Sequence, residues 1–591
     1  MASDRSYTDW VKQFDTIGPR ERIALRRDLR GLRRHPLISV VMPVYNPDLG
    51  HLSSAIDSVR SQLYERWELC IADDASTDPS VARTLKQYAT ADSRIKLTFR
   101  ERNGHIAACS NSALELATGE WVALLDQDDL LSEHALAVVA ATIVENPEAG
   151  LIYSDEDKID LTGVRCQPFF KPDWNPELLL GQNYINHLAI YRHTLLRDVA
   201  GFREGYEGAQ DYDLALRCAE KLQPAQIRHI PRVLYHWRMV EGSAAALPDA
   251  KPYAPGAARR AIAHHLKRRN ISGEVVACPD NEAWNRVIYH LRSPFPLVSI
   301  IIPTRDQAVL LQRCLASIRV KTDYGPIEIV IVDNGSTDPE THAFFRDLVQ
   351  DANIHIVTDP GEFNFSRLIN RGAKVARGEI LALVNNDVEA QESGWLREMV
   401  SHAIRPETGA VGARLWYPDG KLQHAGVVLG LHGVASHAFQ RFPPHPIAPM
   451  NRTFVLSQNY SAVTAACMLV RKTIFDHVGG FDENLANNFN DVDFCLRLRE
   501  RGLEIIWTPH ANLMHRESAS RGRDSGSEET AQLPREATYM QEKWSEQLWR
   551  DPFYSPNLSH SVAFTLAWPP RIALLRESLK SAKEQVCAGA L

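Results

Sequence analysis

Short apolar runs rich in β-branched residues, each closed by proline or an acidic turn, occur along this chain in two matching sets. Residues 38–46 read ISVVMPVYN and residues 298–306 read VSIIIPTRD, both the pattern of a buried strand that ends in a loop. The stretch 67–78 (WELCIADDASTD) is matched by 327–338 (IEIVIVDNGSTD), again a strand running into acidic and turn-forming residues. Residues 120–129 (EWVALLDQDD) are matched by 379–388 (EILALVNNDV). Asp211 in QDYDLALR then pairs with Asp491 in NDVDFCLR, and His236 in VLYHW with His515 in ANLMH. The spacing agrees as well: Asp73 to Asp128 is 55 residues and Asp333 to Asp387 is 54, while Asp211 to His236 is 25 and Asp491 to His515 is 24.

Helical stretches such as 52–62 and 309–318 alternate with these strands, which predicts βαβ units and a mostly parallel sheet in each repeat. The fold class expected is α/β, with two tandem domains at 36–240 and 294–524. A helical, basic segment (1–35) precedes them. A linker (241–293) lies between, opening proline-rich and then giving a basic helix near 257–267, and a helical tail (525–591) is expected to pack against the second domain.

Composition changes this picture little. Hydrophobic residues are 44% and charged residues 24%, as in an ordinary soluble globular chain. A net charge of -7 makes nucleic acid a poor partner. The 9 cysteines are odd in number and never in a CxxC pair, which fits a reducing compartment. No signal peptide and no membrane-spanning run is evident, so a cytoplasmic location is expected. The local exception is 20–34, where seven arginines surround Ile23, Leu25, Leu29 and Leu32. It reads either as a helix packing its leucines on the next domain, the preferred reading, or as a peripheral contact with anionic lipid at the inner membrane face.

In parallel sheets ligands bind beyond the carboxyl ends of the strands, where Asp73, Asp74, Asp126, Asp128 and Asp129 fall. Carboxylates gathered there call for a cation, and hard Mg²⁺ or Mn²⁺ with coordination left for a diphosphate is the economical choice. Neither GxGxxG after the first strand nor GxxxxGK[ST] occurs, which argues against a dinucleotide fold and a P-loop.

With these residues in place the chain resembles the inverting, nucleotide-sugar-dependent glycosyltransferases of family 2, with the GT-A fold present twice. The resemblance rests on the strand-plus-PVYN, ADDASTD and VDNGSTD segments, the DxD-type loops, QDYD and NDVD, and the late histidines. The segments YSDEDKID, FKPDWNPELL, NYINHL, HAGVVLG and HRESASRG look like those of tandem enzymes that build bacterial O-antigen, capsule or rhamnan chains. It implies that Pro43, Tyr45, Asp73, Asp74 and Asp126, and in the second repeat Pro303, Asp333, Asn385 and Arg521, contact the nucleotide sugar. It implies metal ligation by Asp126, Asp128 and His236, and by Asp387 and His515, one Mn²⁺ or Mg²⁺ per active domain. Asp211 and Asp491 become the catalytic bases, with Asp213 and Asp493 ranked behind them. The implied partners are a dTDP-, UDP- or GDP-sugar and a glycan or lipid-linked glycan acceptor. The second repeat departs from the pattern in carrying Asn385 where the first has Asp126. Two readings follow: two working domains that extend a surface polysaccharide, such as a rhamnan, or one catalytic domain beside an acceptor-binding or assembly module. A non-enzymatic sugar-binding scaffold is a third class, one that would need no metal.

Simpler roles compete at several positions. Asp78 and Asp338 read as helix caps, and Trp174, Trp237, Trp395 and Trp507 read as core more readily than as sugar-stacking rings.

Overall fold

The computed structural model describes residues 6–240, 252–444, 453–517 and 526–573, without the side chains of 526–531. The first domain is built on nine strands: β1 (Ile38–Val44), β2 (Trp67–Asp73), β3 (Ile95–Phe99), β4 (Trp121–Leu124), β5 (Leu130–Leu131), β6 (Leu151–Ile159), β7 (Arg165–Phe169), β8 (Ala189–Arg192) and β9 (Ile227–Arg238). A two-stranded hairpin follows, β10 (Gly273–Cys278) and β11 (Asn281–Tyr289). The second domain contains β12 (Val298–Thr304), β13 (Ile327–Asp333), β14 (Ile354–Thr358), β15 (Ile380–Val384), β16 (Val388–Ala390), β17 (Thr408–Trp416), β18 (Leu422–His424), β19 (Val427–Leu429), β20 (Ala435–His437), β21 (Gln458–Asn459), β22 (Cys467–Arg471) and β23 (Glu504–His515).

The two large sheets have the same order. The first runs β3-β2-β1-β4-β8-β6-β9-β5 with β7 on β6, and the second β14-β13-β12-β15-β22-β17-β23-β16 with β18 on β17 and β21 on β23. In each, the first four strands in that order are parallel, because helices cross between them and cover both faces; this is why the strands are nearly continuous apolar runs. Val44 pairs with Asp73 and Thr304 with Asp333, so both acids sit at the carboxyl edge. The next turn of chain starts a helix in each domain, and there Asp78 and Asp338 cap: Asp78 accepts from the N–H of Ser80, Asp338 from those of Glu340 and Thr341.

The flanking segments pack on this frame. Helix Pro19–Arg30 buries Leu25 and Leu29 against the first domain, joined by Leu32, and Arg22 forks onto Glu133 with two 2.7 Å bonds. At about 1.5–3 kcal/mol per buried leucine, packing accounts for the apolar side of this helix, while Arg26, Arg27, Arg30 and Ile23 remain exposed. The linker forms helix Ala254–Arg268, where Arg268 and His265 both engage Glu220, followed by the hairpin β10–β11 that the sequence did not reveal. The C-terminal helix Gly526–Trp549 gives way to irregular chain that touches both domains rather than the second alone. Asp551 accepts from Leu429 N and Ser461 Oγ at 2.7 Å, and Asn557 donates to Asp155 at 3.0 Å. Trp10 in the first helix donates to the carbonyl of Ala567 at 3.0 Å.

The domains meet at an amide pair: Asn175 Nδ2 donates to Asn459 O at 3.0 Å, and Asn459 N donates back to Asn175 Oδ1 at 2.9 Å. Beside it lie Glu177, paired with Arg405, and Glu504, which accepts from Asn459 Nδ2 at 3.1 Å. Burial, then the charge of Glu177, push the Glu504 carboxyl from 4.5 up to about 7. A carboxyl that holds its proton more tightly when folded stabilises the fold fully below the unfolded value. That contribution is lost as pH climbs from about 4.5 to about 7. Glu504→Gln is therefore expected to remove a pH-dependent loss on the order of 2 kcal/mol. Urea denaturation of parent and variant at pH 5 and pH 8 checks this; equal pH slopes in the two chains would contradict it.

Candidate functional site

In the second domain an open cleft of about 1430 Å³ lies over the carboxyl edge of the sheet. Pro303, Asn385, Asp387, Asp491 and His515 all line it. Asp333 lies just beneath, with Oδ1 accepting from the N–H and hydroxyl of Ser336 at 2.9 and 2.5 Å, and its neighbour Asn334 reaches the cleft. His515 is oriented from behind: Glu517 accepts from the Gln423 amide at 3.3 Å, which turns Gln423 Oε1 toward His515 Nδ1 at 2.8 Å. In the neutral ring the proton is thus assigned to Nδ1, and Nε2 presents a lone pair 3.1 Å from Asp387 Oδ1 and 3.4 Å from the Asn385 amide nitrogen. Asp387 Oδ1 and Asn385 Oδ1 are buried with no hydrogen bond. The unpaired Asp387 oxygen beside the imidazole nitrogen, with the unpaired Asn385 oxygen on the neighbouring side chain, is a set of donors that suits a hard divalent cation, with Gln423 as the outer partner of the histidine.

The first domain assembles its acidic cluster differently. Ligating atoms of Asp126, Asp129 and His187 all lie within 4.8 Å of one another. Burial, then the charges of Asp128 and Asp126, raise the Asp129 carboxyl well above its ordinary value, a conflict that a bound cation would relieve. Asp129 is held by the Tyr235 hydroxyl at 2.6 Å and the N–H of Arg238 at 2.7 Å. Asp128 is half-buried and stands outside that trio, its carbonyl accepting from Arg238. His187 stacks on Tyr235 at 4.5 Å between centroids, and its carbonyl accepts from the fully buried Lys171.

His236 is not where the sequence spacing places it. Its Nδ1 lies 2.6 Å from Asp157 and its Nε2 3.0 Å from Ser132 Oγ, so both ring nitrogens are committed away from the acidic cluster. The cause is register. Leu130 pairs with His236, whereas Val388 pairs with His515, and Val388 corresponds to Asp129, one residue earlier. His236 therefore matches Met514, and Trp237 matches His515. By this register the position equivalent to His515 is 26 residues after Asp211, so His236, at 25, falls one residue short and its side chain turns to the other face of the strand. The first domain brings a histidine to its acids from the loop just before β8 instead, at the position of Ala466 in the second.

Asp73 and Asp74 also part ways. Asp73 Oδ2 accepts from Ser76 N at 3.2 Å and its Oδ1 is buried without a hydrogen-bond partner. Asp74 forms an ion pair with Arg100 at 2.7 Å and accepts from Gly104 N at 3.0 Å, which braces the loop rather than facing a ligand. Pro43 lies one residue short of the end of β1, and Tyr45, 44% exposed at the rim, donates its N–H to Gln127 at 2.8 Å. Arg521 lies outside the described residues.

Asp211 and Asp491 occupy the first turn of equivalent helices, Gln210–Ala219 and Asn490–Arg499. Asn183 donates to Asp211 Oδ2 at 2.7 Å; Ala465 N donates to Asp491 Oδ2 at 3.1 Å. The aspartates two residues on are spent on structure. Asp213 is buried between Arg203 and Arg217, and Asp493 between Arg497, Lys543 and the Trp544 indole. The Arg203 of the first domain has its counterpart in Lys543 of the C-terminal helix, so that helix is part of the second site. Trp395 and Trp507 are core, whereas Trp237 stands 5.4 Å from His187.

A family model described as "Glycosyl transferase family 2" matches residues 39–200 and again 299–479. The chain is 48% identical over 552 residues to the "Uncharacterized protein y4gI" of Sinorhizobium fredii, covering 93% of this chain and 60% of that protein. It is 40% identical over 533 residues to the "O-antigen biosynthesis protein RfbC" of Myxococcus xanthus, covering 89% and 41%. It is 26% identical over 251 residues to an "N-acetylglucosaminyl-diphospho-decaprenol L-rhamnosyltransferase" of Mycobacterium tuberculosis, covering 39% and 80%. The chain thus spans about half the length of the first two relatives. Among the described residues no helix is long and apolar enough to cross a membrane.

Proposed function

Because the chain belongs to glycosyl transferase family 2 and carries the family's domain twice, we propose that it is a metal-dependent, inverting glycosyltransferase with two working centres. It moves sugars from nucleotide-diphosphate donors to a growing, lipid-linked bacterial surface polysaccharide. The likeness to an O-antigen biosynthesis protein and to a rhamnosyltransferase supports that acceptor class and makes dTDP-rhamnose the first sugar donor to try, with UDP- and GDP-sugars next. The exposed arginines of helix Pro19–Arg30 suit a lipid-linked acceptor at an anionic surface.

The observation that carries this reading is the cleft that joins Asp491 to Asp387 and His515. Asp491 takes the proton of the acceptor hydroxyl as that oxygen attacks the anomeric carbon; the new C–O bond forms on the face opposite the breaking bond to the diphosphate, which inverts the configuration. Asp211 does the same in the first domain, steadied by Asn183. Asp387, Asn385 and His515 would hold the cation in one domain, and Asp126, Asp129 and His187 in the other. When bound, it stabilises negative charge on the departing diphosphate. Asp73 and Asp333 hold the base.

A competing reading, in which only the first domain turns over, draws on one observation: the second cluster has Asn385 and Val388 where the first has Asp126 and Asp129. Thermal shift with a panel of dTDP-, UDP- and GDP-sugars plus Mn²⁺ tests the assignment. A bound sugar donor at ~100 times its Kd should stabilise its domain by about 2.7 kcal/mol, and EDTA should reverse the shift. No response to any sugar donor would contradict the proposed activity.

A further inference from the structure

Between β18 and β22 the second domain carries the hairpin β19–β20, paired from Val427 with His437 to Leu429 with Ala435, which has no counterpart among the described strands of the first domain. It ends on His437, whose ring stands edge-on to His424 at 5.0 Å between centroids, with 2.8 Å between the two Nδ1 atoms. One backbone group assigns both tautomers. The N–H of Thr464 points at His424 Nε2 over 3.4 Å, and since an amide N–H can only donate, that nitrogen carries a lone pair. Burial pushes the His424 imidazole well below its ordinary value and keeps it neutral, so its one proton sits on Nδ1. That proton is donated to His437 Nδ1, which leaves the His437 proton on Nε2.

His437 lines the same cleft as Asp491. The same cleft has two further unmet polar groups: Asn487 Oδ1 and Asn490 Nδ2 belong to residues that line it and are buried without a hydrogen bond. Buried polar atoms require partners, and a ligand bearing several hydroxyls supplies both donors and acceptors to them. In the first domain the residues at the same distances before the aspartate are Glu207 and Gln210.

Resting on the reading of Asp491 as base, we propose that His437, Asn487 and Asn490 form an acceptor-saccharide subsite particular to the second domain. His437 Nε2–H donates to a hydroxyl oxygen neighbouring the one that Asp491 deprotonates, and the two domains therefore take different acceptors. His424 is a positioning residue that acts through His437.

The test uses the full chain with Asp211→Asn, in which only the second domain turns over. Release of nucleoside diphosphate is followed with Mn²⁺, a panel of dTDP-, UDP- and GDP-sugars, and p-nitrophenyl glycosides as acceptors. His437→Ala should raise the acceptor KM at least tenfold while the sugar-donor KM stays within twofold. His437→Gln, whose side-chain amide offers an N–H, should recover most of the loss. An acceptor KM that ignores His437→Ala, or an equal rise in both KM values, overturns the subsite alone. If the Asp211→Asn chain turned over no sugar donor at all, the second domain would not be an enzyme and the subsite would fall with it.

Discussion

Asp491→Asn should lower transfer by the second domain by about 10²- to 10⁴-fold, the range that a positioned general base supplies, and Asp211→Asn should do the same to the first. The substitution keeps the size of the side chain and removes its capacity to take a proton. Asp491 accepts from Ala465 N at 3.1 Å and from Val492 N at 2.9 Å, bonds that an amide oxygen can keep in part, so folding should survive. Asp493→Asn behaves differently. It strips a buried partner from Arg497 and Lys543, so its damage should appear first in the melting temperature. Initial rates and melting curves for the three variants separate the two roles. An Asp491→Asn chain with full second-domain turnover would contradict the assignment of the base.

Much of this arrangement was legible in the sequence because it repeats. Apolar runs that stop at 44 and 304, followed by acids at 73 and 333, locate the carboxyl edge of each sheet, and the helix caps at Asp78 and Asp338 follow from the same segments. What escaped depends on side-chain direction and on contacts distant along the chain. His236 and His515 occupy similar sequence positions, yet a strand alternates faces at every residue, so a one-residue offset in register reverses the outcome. His187 was visible only as part of NYINHL, with no periodicity to mark it, because it enters the cluster from a loop before β8. Asp74 and Asp73 are adjacent and chemically identical; only the folded position of Arg100 distinguishes them. The reach of the tail to Asp155 spans more than half the chain, beyond any local pattern.

The second large effect concerns the cation. Asp387→Ala removes the one carboxylate that, among the described residues, pairs with His515, and Mn²⁺ affinity there should fall by at least about 100-fold, beyond the 10- to 100-fold seen when an outer partner of a ligand is lost. The first domain should retain its Mn²⁺ in that variant, because Asp126, Asp129 and His187 are untouched. The two histidines of the first domain give the sharper contrast. His187→Ala should weaken Mn²⁺ binding there by at least about tenfold with little change in stability. His236→Ala should leave the metal bound and destabilise the domain by about 1–3 kcal/mol, since Asp157 and Ser132 would lose a buried partner. Electron paramagnetic resonance titration of Mn²⁺ into the full chain, with nucleoside diphosphate present, reads both. Loss of the first-domain ion in His236→Ala rather than His187→Ala would restore the placement suggested by sequence spacing.

That one chain holds two working transferases is best tested by analysing the glycan made from a membrane lipid extract and the sugar donor identified by thermal shift. Wild type, Asp211→Asn, Asp491→Asn and an equal mixture of the two variants are compared by mass. Each variant alone should stall at its own truncated product, and the mixture should restore the complete one. A single variant that yields the wild-type glycan unaided would show that the domain it disables contributes no transfer.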